Sequence, residues 1–415
     1  MMLADAPRVM IVSCYLPGSP GVGGLLLADV ARAWPRGRIC SFGFSMHGPQ
    51  SDEFDWLPSR LADGRPERIL TPARSRLARA VSLPRRLLAW RRQVRELIEQ
   101  AVEFGRDQGV EKLWGVMDSV NNVLITRPVA AALGVPYVTT VWDPPQYMAQ
   151  QYGLDRISTR LVMREFERMQ RGAQGCGVAS PNMAEAYAAS FGVRCSLMRH
   201  AIPRSLWREP ASGPSEPGRL TICFAGSLYA KREFGALLGA LDTRRWRIAG
   251  RRVRLRMLSA NVVLRVSGPA EVEFLGERPL DETIRVLADS DIGYVPYWFD
   301  EDHRLVVRMS FPGKIAATLS AGRPVFFHGP DYASGTQFLR EHPAGFCCHS
   351  LSADEIVRSL EDFLVEPARY GAASAAGRRA LETELNLERY IGAFAEMMEI
   401  PPDALRTSEA CRGTE

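Results

Sequence analysis

Short, continuous apolar runs alternate along the chain with segments whose apolar residues recur at helical spacing. Runs such as 8–14, 137–141, 220–225 and 292–296 predict buried parallel strands, and the amphipathic segments between them predict connecting helices. Strand and helix alternate in two successive series. The pattern therefore predicts an α/β protein with two doubly wound, Rossmann-like domains built on parallel sheets.

The boundary between the two series falls in a segment with four prolines, two glycines and little periodicity, residues 203–219. We therefore expect a first domain over 1–202, a linker over 203–219 and a second domain over 220–371. Residues 372–400 are predicted to form one long helix, and 401–415 a disordered polar tail.

Composition adds limits to this picture. The 415 residues are 46% hydrophobic and 24% charged, which is typical of a globular protein, and no apolar run approaches the roughly 20 residues of a membrane span. Residues 1–12 do not resemble a secretory signal. The eight cysteines form no C-x-x-C pair and the six histidines no metal-binding spacing, so we expect reduced thiols, no metal and a cytoplasmic protein. Only three of the 52 basic residues are lysines, a bias typical of a GC-rich, bacterial genome.

One of these lysines begins a predicted helix after a loop. The stretch 310–327 reads SFPGKIAATLSAGRPVFF, in which Pro312 and Gly313 form a loop and Lys314 starts the helix. A cation at the positive end of a helix dipole is locally unfavourable, so its presence there indicates a bound anion such as a phosphate. A lysine left there by chance is the alternative interpretation.

A second strand, loop and helix repeat this arrangement. The strand 220–225 is followed by Gly226 and Ser227 in a loop, and then by Lys231 and Arg232 at the start of a helix. Two basic loops in one domain can hold the two phosphates of a nucleoside diphosphate. Each charge alone is typical of a solvated helix start.

Further candidate residues follow predicted strands of the first domain. Gly23 and Gly24 lie at the end of a glycine-rich loop, where a ligand can approach the backbone. Asp118, Trp142 and Asp143 stand at the ends of parallel strands, where open α/β sheets bind their ligands. Tight turns also need glycine, and an aspartate before two prolines is common in turns, so a structural role is the alternative.

Residues 74–95 contain eight arginines interleaved with apolar residues and predict a basic amphipathic helix, interrupted or begun anew at Pro84. Such a helix can lie on an anionic membrane or bind a polyanionic partner. A helix that packs on the core with a solvated basic face explains the pattern equally well. We expect no nucleic-acid partner.

The 310–327 stretch resembles the donor-site segment of GT-B fold glycosyltransferases, particularly family 4, whose pattern is Pro-x-Lys-x-x-Glu-x-x-x-x-Gly-x-Pro-Val. The segment 272–297, VEFLGERPLDETIRVLADSDIGYVPY, resembles the segment that lines the nucleobase pocket. The resemblance is firm over 220–327 and looser before that. It implies the GT-B fold, with two doubly wound domains facing a cleft and the final helix crossing back to the first domain.

The resemblance implies a retaining, metal-independent transfer of a sugar from a nucleotide-sugar donor to a glycan, lipid-linked or small-molecule acceptor. It implies catalytic roles for Asp143, Lys231 and Lys314. The implied donor-binding residues are Gly226, Ser227, Arg232, Gly276, Glu277, Pro312, Gly313 and Ile315, and the acceptor-side residues are Gly23, Gly24, Asp118, Trp142 and His200. Because family members with lipid-linked acceptors often dock through a basic helix, it also favours peripheral attachment to the inner membrane face.

The chain departs from the family pattern at both donor-site carboxylates. The glutamate that would hold the ribose is Ala317, and the glutamate eight residues before it is Met309. A GT-B binding or partner subunit with impaired turnover is therefore the alternative to an enzyme. A nicotinamide dehydrogenase is disfavoured, because neither glycine loop fits its fingerprint.

Overall fold

The computed structural model describes residues 6–44, 50–63, 76–260, 264 and 270–405. The described residues of Met1–Met198 and Tyr390–Glu415 form one compact unit, and those of Arg199–Arg389 form the other. No helix within these described ranges is long and apolar enough to cross a membrane.

The first unit contains a seven-stranded parallel sheet of order β3-β2-β1-β4-β5-β6-β7. Its strands are β1 (Val9–Ser13), β2 (Ile39–Gly43), β3 (Ser59–Leu61), β4 (Lys112–Val116), β5 (Tyr137–Val141), β6 (Cys176–Val178) and β7 (Cys195–Leu197). Its connecting helices are α1 (Val22–Ala33), α2 (Arg76–Asp107), α3 (Val120–Leu133), α4 (Pro145–Gln151), α5 (Arg156–Gly172) and α6 (Pro181–Phe191). Strands β1, β2, β4 and β5 are buried throughout, as continuous apolar runs in a doubly covered sheet should be.

The second unit has a sheet of order β11-β10-β8-β12-β13-β14, in which all neighbours are parallel, and a short seventh strand, β9, antiparallel to β10. The strands are β8 (Arg219–Ala225), β9 (Arg247–Ile248), β10 (Arg251–Leu258), β11 (Glu271–Phe274), β12 (Ile292–Pro296), β13 (Val325–His328) and β14 (Gly345–Cys348). The helices are α7 (Lys231–Thr243), α8 (Leu280–Ala288), α9 (Arg304–Met309), α10 (Lys314–Ser320), α11 (Ser334–Glu341), α12 (Ala353–Val365) and α13 (Pro367–Thr383), and α14 (Leu387–Met398) follows.

The prediction of two doubly wound α/β domains is confirmed by these sheets. Four short elements, β3, β9, α4 and α11, were not predicted. In addition, 3-10 turns occur at 52–54, 204–206, 301–303 and 402–404. The seven cysteines in the described part of the chain are free thiols, and Cys411 lies outside it.

The basic helix is not interrupted at Pro84, as the sequence suggested. Helix α2 runs continuously from Arg76 to Asp107 with Pro84 inside it, and Arg74 lies outside the described residues. Pro84 is exposed and lies in the third turn of the helix, which continues past it although proline lacks a backbone N–H. Farther along, Trp90 donates from its indole N–H to Asn121 Oδ1 over 2.8 Å, which fixes this helix to α3.

The segment 297–308, predicted as a charged loop, is largely helical. The Asp300 carboxylate accepts a hydrogen bond from the backbone N–H of His303 and caps the turn that leads into α9. The His303 ring stacks on Trp298 with ring centroids 4.4 Å apart, and Val306 and Val307 are buried. A cap and buried apolar residues therefore order a segment whose charge suggested a loop.

The single long helix predicted at the end of the second domain is two helices, α13 and α14. Asn386 separates them, because its Oδ1 accepts from the N–H of Arg389 while its Nδ2 donates to the carbonyls of Leu381 and Glu382. One amide thus satisfies both helix ends. At the far end of α14, the Lys112 ammonium donates to the Met398 carbonyl over 2.8 Å, which explains one of the three lysines.

A buried histidine makes the second unit sensitive to acid. His328 is fully buried between the Tyr294 hydroxyl, 2.8 Å from Nδ1, and the Ser350 carbonyl, 2.7 Å from Nε2. Burial lowers its pKa to about 4, although the bond to Ser350 opposes this. The unfolded state therefore binds more protons than the folded state between pH 4 and 6.5, and stability is lost as pH falls through that window.

We expect His328→Gln, which cannot titrate, to show a flatter dependence of melting temperature on pH between 7 and 5 than the wild type. The wild type should lose about 2 kcal/mol through His328 on reaching pH 5. Thermal unfolding at several pH values measures this difference. Parallel curves for the two proteins would show that His328 does not cause the loss.

Candidate functional site

Lys314 lies at the carboxyl edge of the second sheet, against a loop that is 88 positions away in sequence. Its ammonium nitrogen is 5.3 Å from the centre of the Phe224 ring and 4.7 Å from that of Tyr229. A Cβ atom built on Gly226 would lie 3.1 Å from Nζ. Burial lowers the pKa of Lys314 to about 8. The residue is therefore a half-buried cation held among rings and backbone.

The loop 226–230 is open to solvent beside this lysine. Gly226 and Ser227 are exposed, and Gly226 has a φ of 92°, which favours glycine. Lys231 and Arg232 follow at the exposed start of α7, which no side chain caps. An uncapped helix start and cations thus meet at one place, which suits an anionic group.

An aromatic cluster extends from Lys314 across the edge of the sheet. The Tyr229 ring lies 4.6 Å from Trp298, which in turn stacks on His303. Glu233 is fully buried beneath this cluster, and its Oε1 accepts from the backbone N–H of Phe299 over 3.0 Å. Glu233 therefore holds the loop that carries Trp298. Sequence reasoning missed this carboxylate because an acidic residue in a first helical turn is typical of a solvated helix start.

His200, predicted on the acceptor side, belongs instead to the second unit. A Cβ built on Gly313 would lie 2.9 Å from its Nδ1, so the imidazole packs directly on the loop before Lys314. Nδ1 is buried with no hydrogen-bond partner, and burial lowers the pKa of His200 to about 4. The neighbouring Arg199 lies over the rings of Phe311 and Phe338. A neutral histidine and a buried arginine therefore pack against the loop 310–313 that precedes Lys314.

The other predicted donor residues take different positions. Pro312 and Ile315 are buried supports of the Lys314 helix, whereas Gly276 and Glu277 lie in the more exposed loop after β11. Gly276 has a φ of 70°, so the turn there favours glycine. Ala317 is buried in α10, and no carboxylate replaces it there.

In the first unit, Asp118 joins the ends of β1 and β4. Its carboxylate accepts hydrogen bonds from the Ser13 hydroxyl, the Cys14 backbone N–H and the Asn122 side-chain amide. Burial raises its pKa to about 6, although these hydrogen bonds oppose the rise. These hydrogen bonds show that Asp118 connects the ends of β1 and β4 at the edge of the sheet where a ligand was predicted to bind.

Gly23 and Gly24 are buried rather than open to a ligand. A Cβ on Gly23 would lie 2.5 Å from the Tyr15 ring, and one on Gly24 would lie 1.9 Å from the Ser19 carbonyl oxygen. The pair is therefore required for close packing of the loop that precedes α1. The first residue of α1, Val22, is exposed to solvent.

Trp142 and Asp143 follow β5, as predicted, and both are half-buried. The Trp142 indole N–H is buried without a hydrogen-bond partner. The charge of Asp143 adds to the rise in the pKa of Tyr147 to about 12, whose main cause is burial. Asp118, Trp142 and Asp143 thus stand at the carboxyl ends of adjacent strands β4 and β5.

Solved structures of similar architecture are found along nearly the whole chain. Sucrose-phosphate synthase from Thermosynechococcus elongatus superposes with a TM-score of 0.69 at 12% identity, over 94% of this chain and 98% of that one. HepE of Anabaena, solved with UDP and glucose, superposes with a TM-score of 0.63 at 12% identity, over 94% of this chain and 99% of that one. A glycosyltransferase from Rickettsia africae superposes with a TM-score of 0.61 at 10% identity, over 95% of this chain and 98% of that one.

No protein-family model matches the chain, and no curated protein matches it in sequence. The structural neighbours and the two sheets establish that the chain has the GT-B fold. At these identities the similarity concerns the fold, and a function has to be argued from the site.

Proposed function

We propose that the protein is a glycosyltransferase that moves a sugar from a nucleoside-diphosphate sugar to an acceptor. The observation that carries this proposal is Lys314. It is half-buried beside the open loop 226–230, and no carboxylate pairs with it in the described part of the chain. A cation in such a place is costly unless an anion binds there. A fold neighbour solved with UDP and glucose supports the choice of anion.

In the proposed reaction, Lys314 and the backbone donors of the loop 226–230 stabilise the charge that develops on the departing diphosphate. Lys231 and Arg232 add positive charge at the exposed start of α7. Because cations and helix donors supply this stabilisation, no metal is required. We propose that the transfer retains the anomeric configuration, in line with the family that the sequence resembles.

We propose that the nucleobase lies by the Gly276 and Glu277 loop and that the acceptor binds the first unit near Asp143. Asp143 stands at a strand end, half-buried, next to Trp142 with its unpartnered indole N–H. The Asp143 carboxylate can accept hydrogen bonds from the hydroxyls of the acceptor. Gly23 and Gly24 shape the neighbouring loop rather than contact the acceptor.

One observation favours a second candidate, a nucleotide-binding partner subunit with impaired turnover. Ala317 is buried and α10 carries no acidic residue, so this helix has nothing to hold the ribose hydroxyls. Binding without turnover in every acceptor mixture would support this candidate over the enzyme.

The direct test is calorimetric titration of the full chain with UDP, GDP, ADP and dTDP and their sugar conjugates, without added metal. We expect the nucleoside diphosphate of one base to bind, and its sugar conjugate to be hydrolysed slowly to the free sugar and that nucleoside diphosphate, with water as the acceptor. If none of these nucleotides binds at micromolar to millimolar concentration, the proposal fails.

We further propose that the acceptor is presented at an anionic membrane on the cytoplasmic side. Helix α2 exposes Arg85, Arg91, Arg92 and Arg95 around Leu88, whose exposed fraction is 70%. Helix α5 starts with exposed Arg156 and Ile157.

The starts of these two basic surfaces lie close together. Burial acts to raise the pKa of Asp155, but hydrogen bonds from Ser158 and Ile157 and the nearby charge of Arg86 lower it. Arg86 is thus within reach of the α5 start. Exposed apolar side chains ringed by arginines are typical of membrane-surface helices.

Co-sedimentation with vesicles tests this surface. We expect binding to vesicles that contain phosphatidylglycerol and weaker binding to vesicles of phosphatidylcholine alone. The triple variant Arg91→Glu, Arg92→Glu, Leu88→Ser should bind the phosphatidylglycerol vesicles several-fold more weakly. The matched control changes Arg168 and Arg171 at the other end of α5. Equal binding of both variants would contradict the proposal.

A further inference from the structure

The ammonium of Lys314 has an unusual environment for a buried charge. Its nitrogen lies over the faces of two aromatic rings, Phe224 and Tyr229, both from β8 and the loop that follows it. Burial lowers its pKa, and among the described residues no carboxylate lies within ion-pair distance of Nζ. The rings therefore offset part of the cost of burying the charge, and an anion is still needed to complete its stabilisation.

The two rings differ in what holds them. Phe224 is fully buried in the core of the second unit, so it packs whether or not the lysine is present. Tyr229 is half-buried in the loop, and its ring packs on Trp298 with the centroids 4.6 Å apart and an angle of 34° between the ring planes. This contact restricts the orientation of the Tyr229 ring. Trp298 is itself held by stacking on His303 and by the bond from Phe299 N–H to Glu233. Tyr229 is thus held by Trp298 with its ring face toward the Lys314 ammonium.

We propose that Tyr229 is a positioning residue that holds the Lys314 ammonium at the mouth of the loop 226–230 and keeps it charged for an incoming diphosphate. The ring attracts the cation through its negative face, an interaction worth more where water is partly excluded. The role of the charge toward diphosphate rests on the proposed function, whereas the control of the charge by Tyr229 does not.

Charged groups on the elements around α10 are engaged elsewhere. Helix α10 packs against α8, α13, β12 and β13. On α8, Asp281 pairs with Arg285 and Glu282 with Arg278. On α13, Arg378 pairs with Glu209, and Arg369 lies over the Phe363 ring.

Among the other titratable groups nearby, the buried Glu233 accepts from the Phe299 N–H through Oε1, and no ion pair joins it to Lys314 among the described residues. Tyr294 and His328 bond to each other in the core, and the Tyr370 hydroxyl donates to the Asp291 carbonyl. Lys231 and Arg232 are exposed at the start of α7. His200, behind Gly313, is uncharged at neutral pH because burial lowers its pKa to about 4. Tyr229 is therefore the group whose change should move the titration of Lys314.

The chain offers a simple test, because it contains three lysines. Full-length protein labelled with 13C at lysine Cε gives three signals, and Lys314→Met identifies the one that belongs to Lys314. We expect this signal to titrate near pH 8 in the wild type and in Tyr229→Phe, which keeps the ring. In Tyr229→Leu the midpoint should fall by about one pH unit.

An unchanged midpoint in Tyr229→Leu would overturn the proposal, as would an equal fall in Tyr229→Phe. The Lys112 signal and the melting temperature report whether each variant is folded. If Tyr229→Leu does not fold, Tyr229→Met replaces it, since it fills a similar volume without a ring.

A second arm measures UDP affinity at pH 6.5 and 8.5. At pH 6.5 Lys314 is mostly charged in both proteins, so Tyr229→Leu should bind within about twofold of the wild type, but at pH 8.5 it should bind several-fold more weakly. Equal weakening at both pH values would show that Tyr229 only shapes the site. If the wild type binds neither UDP nor GDP, ADP or dTDP, the proposed function fails, while the lysine titration still decides the role of Tyr229.

Discussion

Lys314→Met should weaken nucleoside-diphosphate binding about 100-fold or more, because charge-assisted hydrogen bonds to phosphate are among the strongest polar contacts. The variant should fold normally, with an unchanged or higher melting temperature, because methionine fills the half-buried position without a charge to desolvate. Calorimetry gives the affinity and thermal unfolding gives the stability, so a loss of binding can be separated from a loss of folding.

Two matched variants sharpen this result. Arg340→Met removes an exposed cation at the end of α11 and should leave the affinity unchanged. Lys314→Arg keeps the charge but needs more space against Gly226 and should bind at an intermediate level. If Lys314→Met binds the nucleotide as tightly as Arg340→Met does, Lys314 is not at the phosphate site.

Gly322→Ala should lower the free energy of unfolding by about 3 kcal/mol or more. Gly322 has a φ of 70°, and a Cβ there would lie 2.2 Å from the Glu209 carbonyl oxygen. The segment around Glu209 is fixed on this turn by the bonds from Arg208 N–H to Ser320 and from Ala211 N–H to Gly322. A methyl group would therefore strain the turn and push this segment away.

Gly235→Ala is the matched control for this change. Gly235 is exposed within α7, and a Cβ there meets nothing within 4 Å. In a helix interior, alanine is favoured over glycine by about 1 kcal/mol, so this variant should be more stable than the wild type. Chemical denaturation measures both. A Gly322→Ala protein as stable as Gly235→Ala would refute the packing described for the turn.

The sequence predicted the strands well where each was a continuous buried run. The strands 137–141 and 292–296 were predicted with the bounds that the structure shows, because a strand covered on both faces needs apolar residues at every position. The short strands β3 and β9 were missed, since three and two residues at sheet edges carry no such pattern. Local sequence patterns therefore predicted the central strands and the fold class but not the short strands at the sheet edges.

The errors in the helices have local causes that depend on single side chains. Asn386 divides the final helix because its amide reaches both helix ends, and Asp300 turns a charged segment into a capped helix start. Each of these residues was visible in the sequence. Whether an Asn or Asp side chain caps a helix or faces solvent depends on the backbone around it, and periodicity does not report that.

The candidate site shows the same division. Lys314 and the loop 226–230 were singled out from local signals, and the structure brings them together. The contributions of Glu233, His200 and Tyr229 arise from contacts between distant segments, such as Glu233 with Phe299 and His200 with Gly313. Such contacts follow from the fold and have no local signal.

Hydrogen exchange of the full chain, followed by mass spectrometry with and without the nucleotide that binds, tests the central claim most directly. The account predicts slower exchange in peptides that cover 224–233 and 310–318, and unchanged exchange in the first-unit loop 15–24. Protection confined to the 15–24 loop, or to neither of the two second-unit segments, would contradict the assignment of a nucleotide-sugar site to Lys314 and the loop 226–230.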